Sequence, residues 1–307
     1  MAVYTHLNLE EIKEIGKKYD LVVNSFEGIP EGILNTNYLL YTDKGKFILR
    51  VLEGNRSFYS EKQELDFLLE LNKIIPCTIP YQAKNKECLI KYKDKLMSIF
   101  YYIDGKKIKN ITPNYLKQIG VLLGKFHNFS KGKIIDRKSR VDDIYYLKKL
   151  NLKEIEIPRE DKEKILETSN RVLKIDFSNL PTGIIHNDIF PDNVFVKDEK
   201  IIGILDFNDA TSAPFIFDIA IIINFWIKIN NFDFKKEKEY IDIFLNSYET
   251  IRKLSFEEKK LLDMGILKMA LIFILLRIDR LIVRKEENIL IENKSYKNLM
   301  TLLKNNN

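Results

Sequence analysis

The sequence predicts an α+β fold of two lobes: a small N-terminal lobe, residues 1–103, and a larger, mostly helical lobe, residues 104–307. Three observations favour this division. Short apolar runs typical of strands dominate the first hundred residues, the segment Asp104-Gly105-Lys106-Lys107 interrupts the pattern, and helical periodicity dominates beyond it. A chain of 307 residues is also long enough for two lobes, each with an apolar core.

The small lobe is predicted to be an antiparallel sheet with one main helix, preceded by a shorter helix. Asn8 and Glu11 form an Asn-x-x-Glu cap signal for the first helix. Ser60 and Gln63 are predicted to cap the main helix, which ends near Asn72. Strands are predicted over residues 21–26, 37–42, 46–52, 87–92 and 96–103.

The larger lobe is predicted to be helical on both sides of a segment of short apolar runs. Pro113 suits the first turn of a helix, and Ser255 with Glu258 forms a capping box. Helices are predicted over residues 113–129, 142–150, 159–173, 215–229, 234–252, 256–284 and 288–303. The interrupting apolar runs are residues 184–185, 194–196 and 201–205.

Charge and hydropathy exclude several classes of function. The formal charge of +6 comes from 50 basic and 44 acidic residues, and the lysines are dispersed, so a solvated surface is favoured over nucleic-acid binding. The most apolar stretch, Met264–Val283, has its longest uncharged run at Met269–Leu276, far short of the roughly 20 residues that span a bilayer. We therefore expect a buried helix there and no membrane partner.

The cysteines and the N-terminus indicate a cytoplasmic setting. Cys77 and Cys88 are the only cysteines, and their spacing indicates neither a disulfide framework nor a metal site. The opening residues 1–6 lack the basic and apolar regions of a signal peptide. We expect reduced thiols and no obligate protein partner.

The chemistry is concentrated in the segment from His186 to Asn193 and in Asp206, which ends an apolar run. Asp188 can accept the proton of an attacking hydroxyl, whereas Asn193 and Asp206 offer the hard oxygen ligands that Mg²⁺ prefers. We interpret Asp188 as a catalytic base and His186 as structural. A polar surface loop is the alternative for Asp188 and Asn193 alone, because Asp and Asn are common in turns. The addition of Asp206 favours a small-molecule kinase.

These residues carry a resemblance. His186-x-Asp188-x-x-x-x-Asn193, followed by Ile204-Leu205-Asp206-Phe207, resembles the signature of the aminoglycoside phosphotransferase/choline kinase superfamily, relatives of protein kinases. Further segments are similar to bacterial homoserine kinases: residues 1–5, Gly183–Phe195, and Phe217–Ala220 leading into Asn224-x-Trp226. The resemblance implies a bilobal protein-kinase-like fold, ATP and Mg²⁺ as cofactors, and transfer of phosphate to the hydroxyl of L-homoserine in threonine synthesis.

The resemblance also implies roles for single residues. It makes Asp188 the catalytic base, Asn193 and Asp206 the Mg²⁺ ligands, and Asp218 a buried acid that ties down the catalytic loop. Because Asp218 is followed by an apolar run, its carboxylate needs a partner such as the loop backbone or His186.

The nucleotide contacts are the part of the pattern where this chain departs most. Glu64 matches a helix glutamate that pairs with a strand lysine, but the strand position here is Arg50, for which an exposed sheet residue is an equal alternative. Asn35 and Asn37 could donate to phosphate oxygens, although an ordinary turn explains their loop as well. The usual glycine after His186 is Asn187, which fits if the backbone there has a positive φ, because Asn accepts that conformation more readily than most residues.

An amino-acid acceptor needs a cation for its carboxylate and an acid for its ammonium near Asp188. The candidates are Asp192, Asp209 and Asn224, together with Arg277, Asp279 and Arg280 on a later helix. An internal salt-bridge network is the alternative for that helical cluster.

Two other functions stay open. The same chemistry could act on an aminoglycoside, choline or another hydroxylated metabolite. A catalytically inactive kinase-like binding protein is the third reading, and Arg50 is the only feature in its favour, since Asp188, Asn193 and Asp206 are all present.

Overall fold

The computed structural model describes residues 3–30, 35–54, 57–138, 152, 154–280 and 295–304. The chain divides into two compact units, Met1–Gly105 and Lys106–Asn307. The sequence places the boundary after residue 103, within the same interruption of the pattern. Each unit has its own core.

The first unit is built on an antiparallel sheet of six strands. The strands are β1 (Val23–Ile29), β2 (Thr36–Thr42), β3 (Gly45–Val51), β4 (Pro80–Tyr81), β5 (Leu89–Tyr92) and β6 (Lys95–Tyr101). Their order is β1-β2-β3-β6-β4, with β5 also paired to β6. Sequence analysis missed β4, because a strand of two residues is too short to show an alternating pattern.

The alternation of side chains on β3 decides what each face of the sheet contacts. Phe47, Leu49 and Val51 are buried in a core with residues of the first helix. Arg50 therefore lies on the opposite, less buried face of the strand. The main helix of the unit contacts Arg50 from that side through Glu64.

Two helices accompany this sheet, α1 (Leu9–Lys18) and α2 (Phe58–Leu71). The predicted capping box of α1 is confirmed: the Glu11 N–H donates to Asn8 Oδ1 at 3.0 Å, and the Asn8 N–H donates to Glu11 Oε2 at 2.8 Å. The predicted cap of α2 is wrong. Ser57 is the N-cap, and Ser60 lies inside the first turn, with its N–H 3.4 Å from Ser57 Oγ. A second serine three positions earlier offers the same cap, and the helix begins there.

The second unit is mainly helical. Its helices are α3 (Pro113–Ser130), α4 (Arg159–Val172), α5 (Ile216–Ile222), α6 (Phe234–Glu249), α7 (Phe256–Ile278) and α8 (Met300–Lys304). Its strands are β7 (Lys106–Lys107), β8 (Thr182–Ile185), β9 (Val194–Lys197), β10 (Lys200–Ile204) and β11 (Thr211–Pro214). They form two small antiparallel sheets, β10-β9-β7 and β11-β8. Pro113 begins α3, and Ser255 with Glu258 caps α7, both as predicted.

Several predicted helices differ in the structure. The helix expected over residues 215–229 is α5 followed by a π-helical turn, Ile223–Ile227, and a 3₁₀ turn, Lys228–Asn230. The final predicted helix is, where described, a 3₁₀ turn at Tyr296–Leu299 leading into α8. The helix predicted over residues 142–150, and the end of the one predicted over 256–284, lie outside the described residues.

Helices α3 and α6 approach each other closely because α3 presents two glycines to the contact. A Cβ atom at Gly120 would lie 2.7 Å from the Phe244 carbonyl oxygen, and one at Gly124 would lie 2.9 Å from Ile251 Cβ. Both distances are shorter than side chains tolerate, so glycine permits this spacing. The close approach brings His127 of α3 next to Tyr248 of α6.

The apolar helix α7 is largely buried, as expected from its sequence. In the part of the chain that the structure describes, no helix has the length and apolar character needed to cross a membrane. Cys77 and Cys88 are both buried and free, which agrees with the expectation of no disulfide.

Candidate active site

The catalytic loop predicted from the sequence connects β8 to β9. After Ile185 the chain forms an irregular segment and then a 3₁₀ turn, Pro191–Asn193. The Asn193 side chain folds back over the loop: its Nδ2 donates to the Asp188 carbonyl oxygen at 2.7 Å and to Asp188 Oδ2 at 3.0 Å. Five residues of separation thus become a direct contact between the two side chains. Both side chains are partly buried.

Asp206 reaches the same place from the other strand of the hairpin. Strand β10 pairs with β9, with Ile204 opposite Val194. The Leu205 N–H then donates to the Asn193 carbonyl oxygen at 2.8 Å. Asp206 follows in a left-handed conformation, φ 63° and ψ 64°, and accepts a hydrogen bond from Asn208 Nδ2. Asn193 and Asp206 are therefore neighbours, and Asp188 adjoins Asn193.

The oxygen atoms that face away from these contacts suit a divalent cation. Both Nδ2 hydrogen bonds of Asn193 go to Asp188, and no described residue donates to Asn193 Oδ1 or to Asp206 Oδ2. Mg²⁺ commonly takes one or two protein oxygens and completes its shell with phosphate oxygens and water. Within the described residues no group of three or more His, Cys, Asp or Glu side chains has metal-binding geometry. A two-ligand site of this kind needs no such group.

His186 connects the two halves of the site through its ring. Its Nδ1 accepts from the Asp188 N–H at 3.2 Å, so Nε2 carries the proton and donates to the Leu205 carbonyl oxygen at 2.9 Å. The ring packs on Phe207, with centroids 4.4 Å apart. Both nitrogens are engaged with backbone groups, which favours the structural interpretation over acid–base chemistry.

Asp218, on α5, is fully buried and accepts hydrogen bonds from the first backbone N–H groups of the catalytic loop. Its Oδ2 accepts from the His186 N–H and its Oδ1 from the Asn187 N–H, both at 2.8 Å. Asn187 has φ 63°, as its replacement of glycine requires, and its Nδ2 donates to the Asp209 carbonyl oxygen at 3.2 Å. The carboxylate thus has the backbone partners that its apolar surroundings demand.

A chain of buried hydrogen bonds continues from Asp218 through side chains that sequence analysis missed. His127 Nε2 donates to Asp218 Oδ2 at 3.2 Å, and the Tyr248 hydroxyl donates to His127 Nδ1 at 2.8 Å. Arg252 in turn donates to the Tyr248 hydroxyl at 2.9 Å and to Glu258 Oε1 at 2.9 Å. Burial lowers the pKa of His127, which favours the neutral ring that donates to Asp218 through Nε2 and accepts from Tyr248 at Nδ1.

One signal could have found part of this chain. The glycines of α3 recur four positions apart, at Gly120 and Gly124, and His127 follows on the same helical face. Small residues at that spacing indicate a close helix neighbour, which His127 would also contact. No sequence signal identifies Tyr248 or Arg252 as the partner.

The residues predicted to bind the acceptor differ in their exposure and in their hydrogen bonds. Asp192 is exposed in the 3₁₀ turn beside Asn193. Asp209 is partly buried and contributes its carbonyl oxygen to Asn187. Asn224 is fully buried, and its Nδ2 donates to the Ile266 carbonyl oxygen at 2.8 Å, which fixes the π-helical turn to α7. The structure therefore places Asn224 inside the unit, whereas Asp192 is open to solvent.

The π-helical turn packs against the catalytic loop and donates a hydrogen bond to it. Trp226 Nε1 donates to the Ile189 carbonyl oxygen at 2.8 Å. Phe225 packs against Phe190 of the loop, with ring centroids 4.5 Å apart, and both rings contact Phe273 of α7 at 5.0 Å. A wider turn in a helix often marks a functional site, and here it lies against the catalytic loop.

The predicted nucleotide residues belong to the first unit. Arg50 Nη1 lies 3.6 Å from Glu64 Oε1, and the Arg50 guanidinium lies 4.5 Å from the centre of the Phe100 ring. The ion pair that the resemblance implies is thus present, with arginine in place of lysine. Asn35 is buried and its Oδ1 accepts from the Glu53 N–H at 3.2 Å. Asn37 Nδ2 donates to the Asn35 carbonyl oxygen at 3.5 Å.

Solved structures share this fold over nearly the whole chain. An amicoumacin kinase, in complex with AMP-PNP, Ca²⁺ and Ami, superposes with a TM-score of 0.75 at 15% identity, covering 97% of this chain and 94% of that one. A microcompartment-associated aminopropanol kinase also gives a TM-score of 0.75 at 15% identity, with 96% and 95% covered. These likenesses confirm the predicted protein-kinase-like α+β fold.

Sequence comparisons are more specific. The homoserine kinase of Mesorhizobium japonicum is 30% identical over 294 residues, which cover 91% of this chain and 88% of that protein. That of Bradyrhizobium diazoefficiens is 29% identical over 291 residues, covering 91% and 86%. The family model described as "phosphotransferase enzyme family" (APH) matches residues 25–256. This chain therefore belongs to the phosphotransferase enzyme family and is a kinase.

Proposed function

We propose that this protein transfers the γ-phosphoryl group of ATP to the hydroxyl of L-homoserine, with Mg²⁺, to form O-phospho-L-homoserine. One observation carries the chemistry: Asn193 holds the Asp188 carboxylate with its Nδ2, while its Oδ1 and Asp206 Oδ2 accept no hydrogen bond from described residues. The similarity to bacterial homoserine kinases along 91% of the chain supports the choice of acceptor.

Asp188 is proposed to orient the acceptor hydroxyl and to take its proton. The hydroxyl oxygen forms a bond to the γ-phosphorus, the bond from that phosphorus to the bridging oxygen breaks, and ADP leaves. The proton moves to the Asp188 carboxylate. Asn193 donates to Asp188 Oδ2 and so restrains the carboxylate that we propose as the proton acceptor.

Asn193 Oδ1 and the Asp206 carboxylate are proposed to hold Mg²⁺. The bound cation would neutralise charge that develops on the phosphate oxygens. Asp206 keeps its conformation through the Asn208 hydrogen bond, and the hairpin contact from Leu205 to Asn193 keeps the two ligands adjacent.

For the nucleotide, we propose that Arg50 contacts phosphate oxygens and that Glu64 orients it. The ion pair at 3.6 Å and the packing over Phe100 restrict the guanidinium, whose planar fork suits two phosphate oxygens at once. Asn35 and Asn37 are proposed to contact phosphate as well. Asn35 Oδ1 accepts from the Glu53 N–H, and the buried Nδ2, which has no partner among the described residues, is the donor proposed for that role.

For the acceptor, we propose that the acidic side chains of Asp192 and Asp209 attract the ammonium group of homoserine. Asp192 is exposed next to a proposed cation ligand, so it is accessible to a small zwitterion. Asn224 is proposed to act from within, because its hydrogen bond to Ile266 holds the π-helical turn under the loop.

A panel of acceptors tests the assignment. We expect ADP release that requires Mg²⁺ and L-homoserine. For choline, simple sugars and aminoglycosides, we expect kcat/KM to be at least about 10²-fold lower than for L-homoserine. The assay couples ADP release to NADH oxidation, and ³¹P NMR identifies the phosphomonoester. Reactions without acceptor measure ATP hydrolysis, and EDTA should abolish turnover. If kanamycin is phosphorylated and homoserine is not, the acceptor assignment is wrong. If no acceptor supports turnover, the inactive binding protein is the better account.

A further inference from the structure

Arg277 lies on the face of α7 that contacts the catalytic loop. Phe273, one helical turn before it, packs against Phe190 with ring centroids 5.0 Å apart. Residues four apart share a helical face, so Arg277 projects from the same side of α7 as Phe273. Phe190 lies between Asp188 and Asp192 in the loop. Arg277 thus lies one helical turn from a residue that packs against the loop carrying the proposed base.

Arg277 is partly buried. Burial lowers the pKa of its guanidinium to about 10, and the negative charge of Asp192 opposes that shift. In the described part of the chain, Arg277 forms no ion pair with a carboxylate and makes one hydrogen bond, from Nη1 to the Ser295 carbonyl oxygen at 3.1 Å. Among the described residues, Arg277 therefore takes part in no salt bridge, which is the alternative that the sequence left open. A partly buried cation in this state is a candidate anion-binding group.

We propose that Arg277 binds the carboxylate of the amino-acid acceptor, an inference that rests on the proposed function. A guanidinium can bind both carboxylate oxygens in a fork, and in the described residues only Nη1 of Arg277 is engaged in a hydrogen bond. In homoserine the ammonium and the carboxylate share one carbon atom, so their partners must be adjacent. Phe190 of the loop packs on Phe273 of α7, Asp192 follows Phe190 by two residues, and Arg277 follows Phe273 by one helical turn. Asp188, the proposed partner of the hydroxyl, precedes Phe190 by two residues.

The contact would make the carboxylate a determinant of specificity. Homoserine without its carboxylate is 3-aminopropan-1-ol, which keeps the ammonium, the chain length and the primary hydroxyl. Wild-type protein is expected to prefer L-homoserine over 3-aminopropan-1-ol by about 10²-fold in kcat/KM, because a buried charge would otherwise lack its partner. The pair of acceptors isolates this single interaction.

Arg277→Gln tests the proposal. We expect kcat/KM for L-homoserine to fall about 10²-fold, mainly through KM, whereas kcat/KM for 3-aminopropan-1-ol changes less than about threefold. Arg277→Lys, which keeps the charge without the fork, should recover part of the loss for homoserine. Arg159→Gln, at an exposed position of α4, is the matched control and should leave kcat/KM unchanged for both acceptors.

Each other outcome overturns the proposal in a distinguishable way. If Arg277→Gln lowers kcat/KM equally for both acceptors, the residue supports the loop and does not bind the carboxylate. If homoserine turnover is unaffected, Arg277 has no part in binding. If wild-type protein uses the two acceptors equally, the carboxylate is not recognised although the kinase chemistry stands. If wild-type protein phosphorylates neither, the proposed function itself fails, and the assignment of Arg277 fails with it.

Discussion

Replacing Asp188 by Asn is expected to lower kcat by about 10²- to 10⁴-fold while nucleotide binding persists. The amide has the shape of the carboxylate and can still accept from Asn193 Nδ2, and the second Asn193 contact is to the Asp188 backbone. Only the proton acceptor is lost. Steady-state ADP release with L-homoserine measures kcat, and calorimetric titration with AMP-PNP and Mg²⁺ measures nucleotide affinity.

The control for this experiment is Asp198→Asn. Asp198 lies in the exposed turn between β9 and β10 with φ 48°, a conformation that Asn also accepts, so turnover should match wild type. Equal turnover by wild type and Asp188→Asn would remove Asp188 as the proposed base. A loss of nucleotide affinity together with kcat would place Asp188 in the nucleotide site instead.

Asp218→Asn is expected to reduce the free energy of unfolding of the second unit by about 3 kcal/mol. The carboxylate accepts three hydrogen bonds, from the His186 N–H, the Asn187 N–H and His127 Nε2, and is fully buried. An amide has one acceptor oxygen, so its NH₂ group would face a buried donor. Catalysis should also fall, because the loop that carries Asp188 begins at these backbone groups.

Fluorescence of the single tryptophan, Trp226, reports this change directly. Its indole donates to the Ile189 carbonyl oxygen of the loop. Urea unfolding followed by Trp226 fluorescence therefore measures the free energy of unfolding of the unit that contains Asp218. Asp198→Asn again serves as the control. Unchanged stability in Asp218→Asn would mean that the buried carboxylate does not hold the loop.

Features that depend on residues close together in the chain could be predicted from the sequence. The capping boxes at Asn8 and Ser255 depend on residues three positions apart, and both are present. Asn187 has the positive φ under which Asn can replace the usual glycine. Ser57 was missed because two serines offer the same cap, and sequence alone does not show at which one the helix begins.

Features that depend on contacts between distant segments could not be predicted in the same way. His127 is 91 residues from Asp218 and 121 from Tyr248, so no spacing rule relates them. The π-helical turn at Ile223–Ile227 reads as continuous helix in sequence, because its cause is packing against the loop and α7. The sequence left an ion-pair network and an anion site as alternatives for Arg277, and the contacts of the side chain are needed to distinguish them.

A crystal structure with Mg²⁺, AMP-PNP and L-homoserine tests the central claim most directly. The account predicts a cation bound by Asn193 Oδ1 and the Asp206 carboxylate at about 2.0–2.1 Å. It also predicts the acceptor hydroxyl within about 2.6–3.2 Å of the Asp188 carboxylate. A cation bound away from both ligands, or an Asp188 side chain directed away from the acceptor, would contradict it.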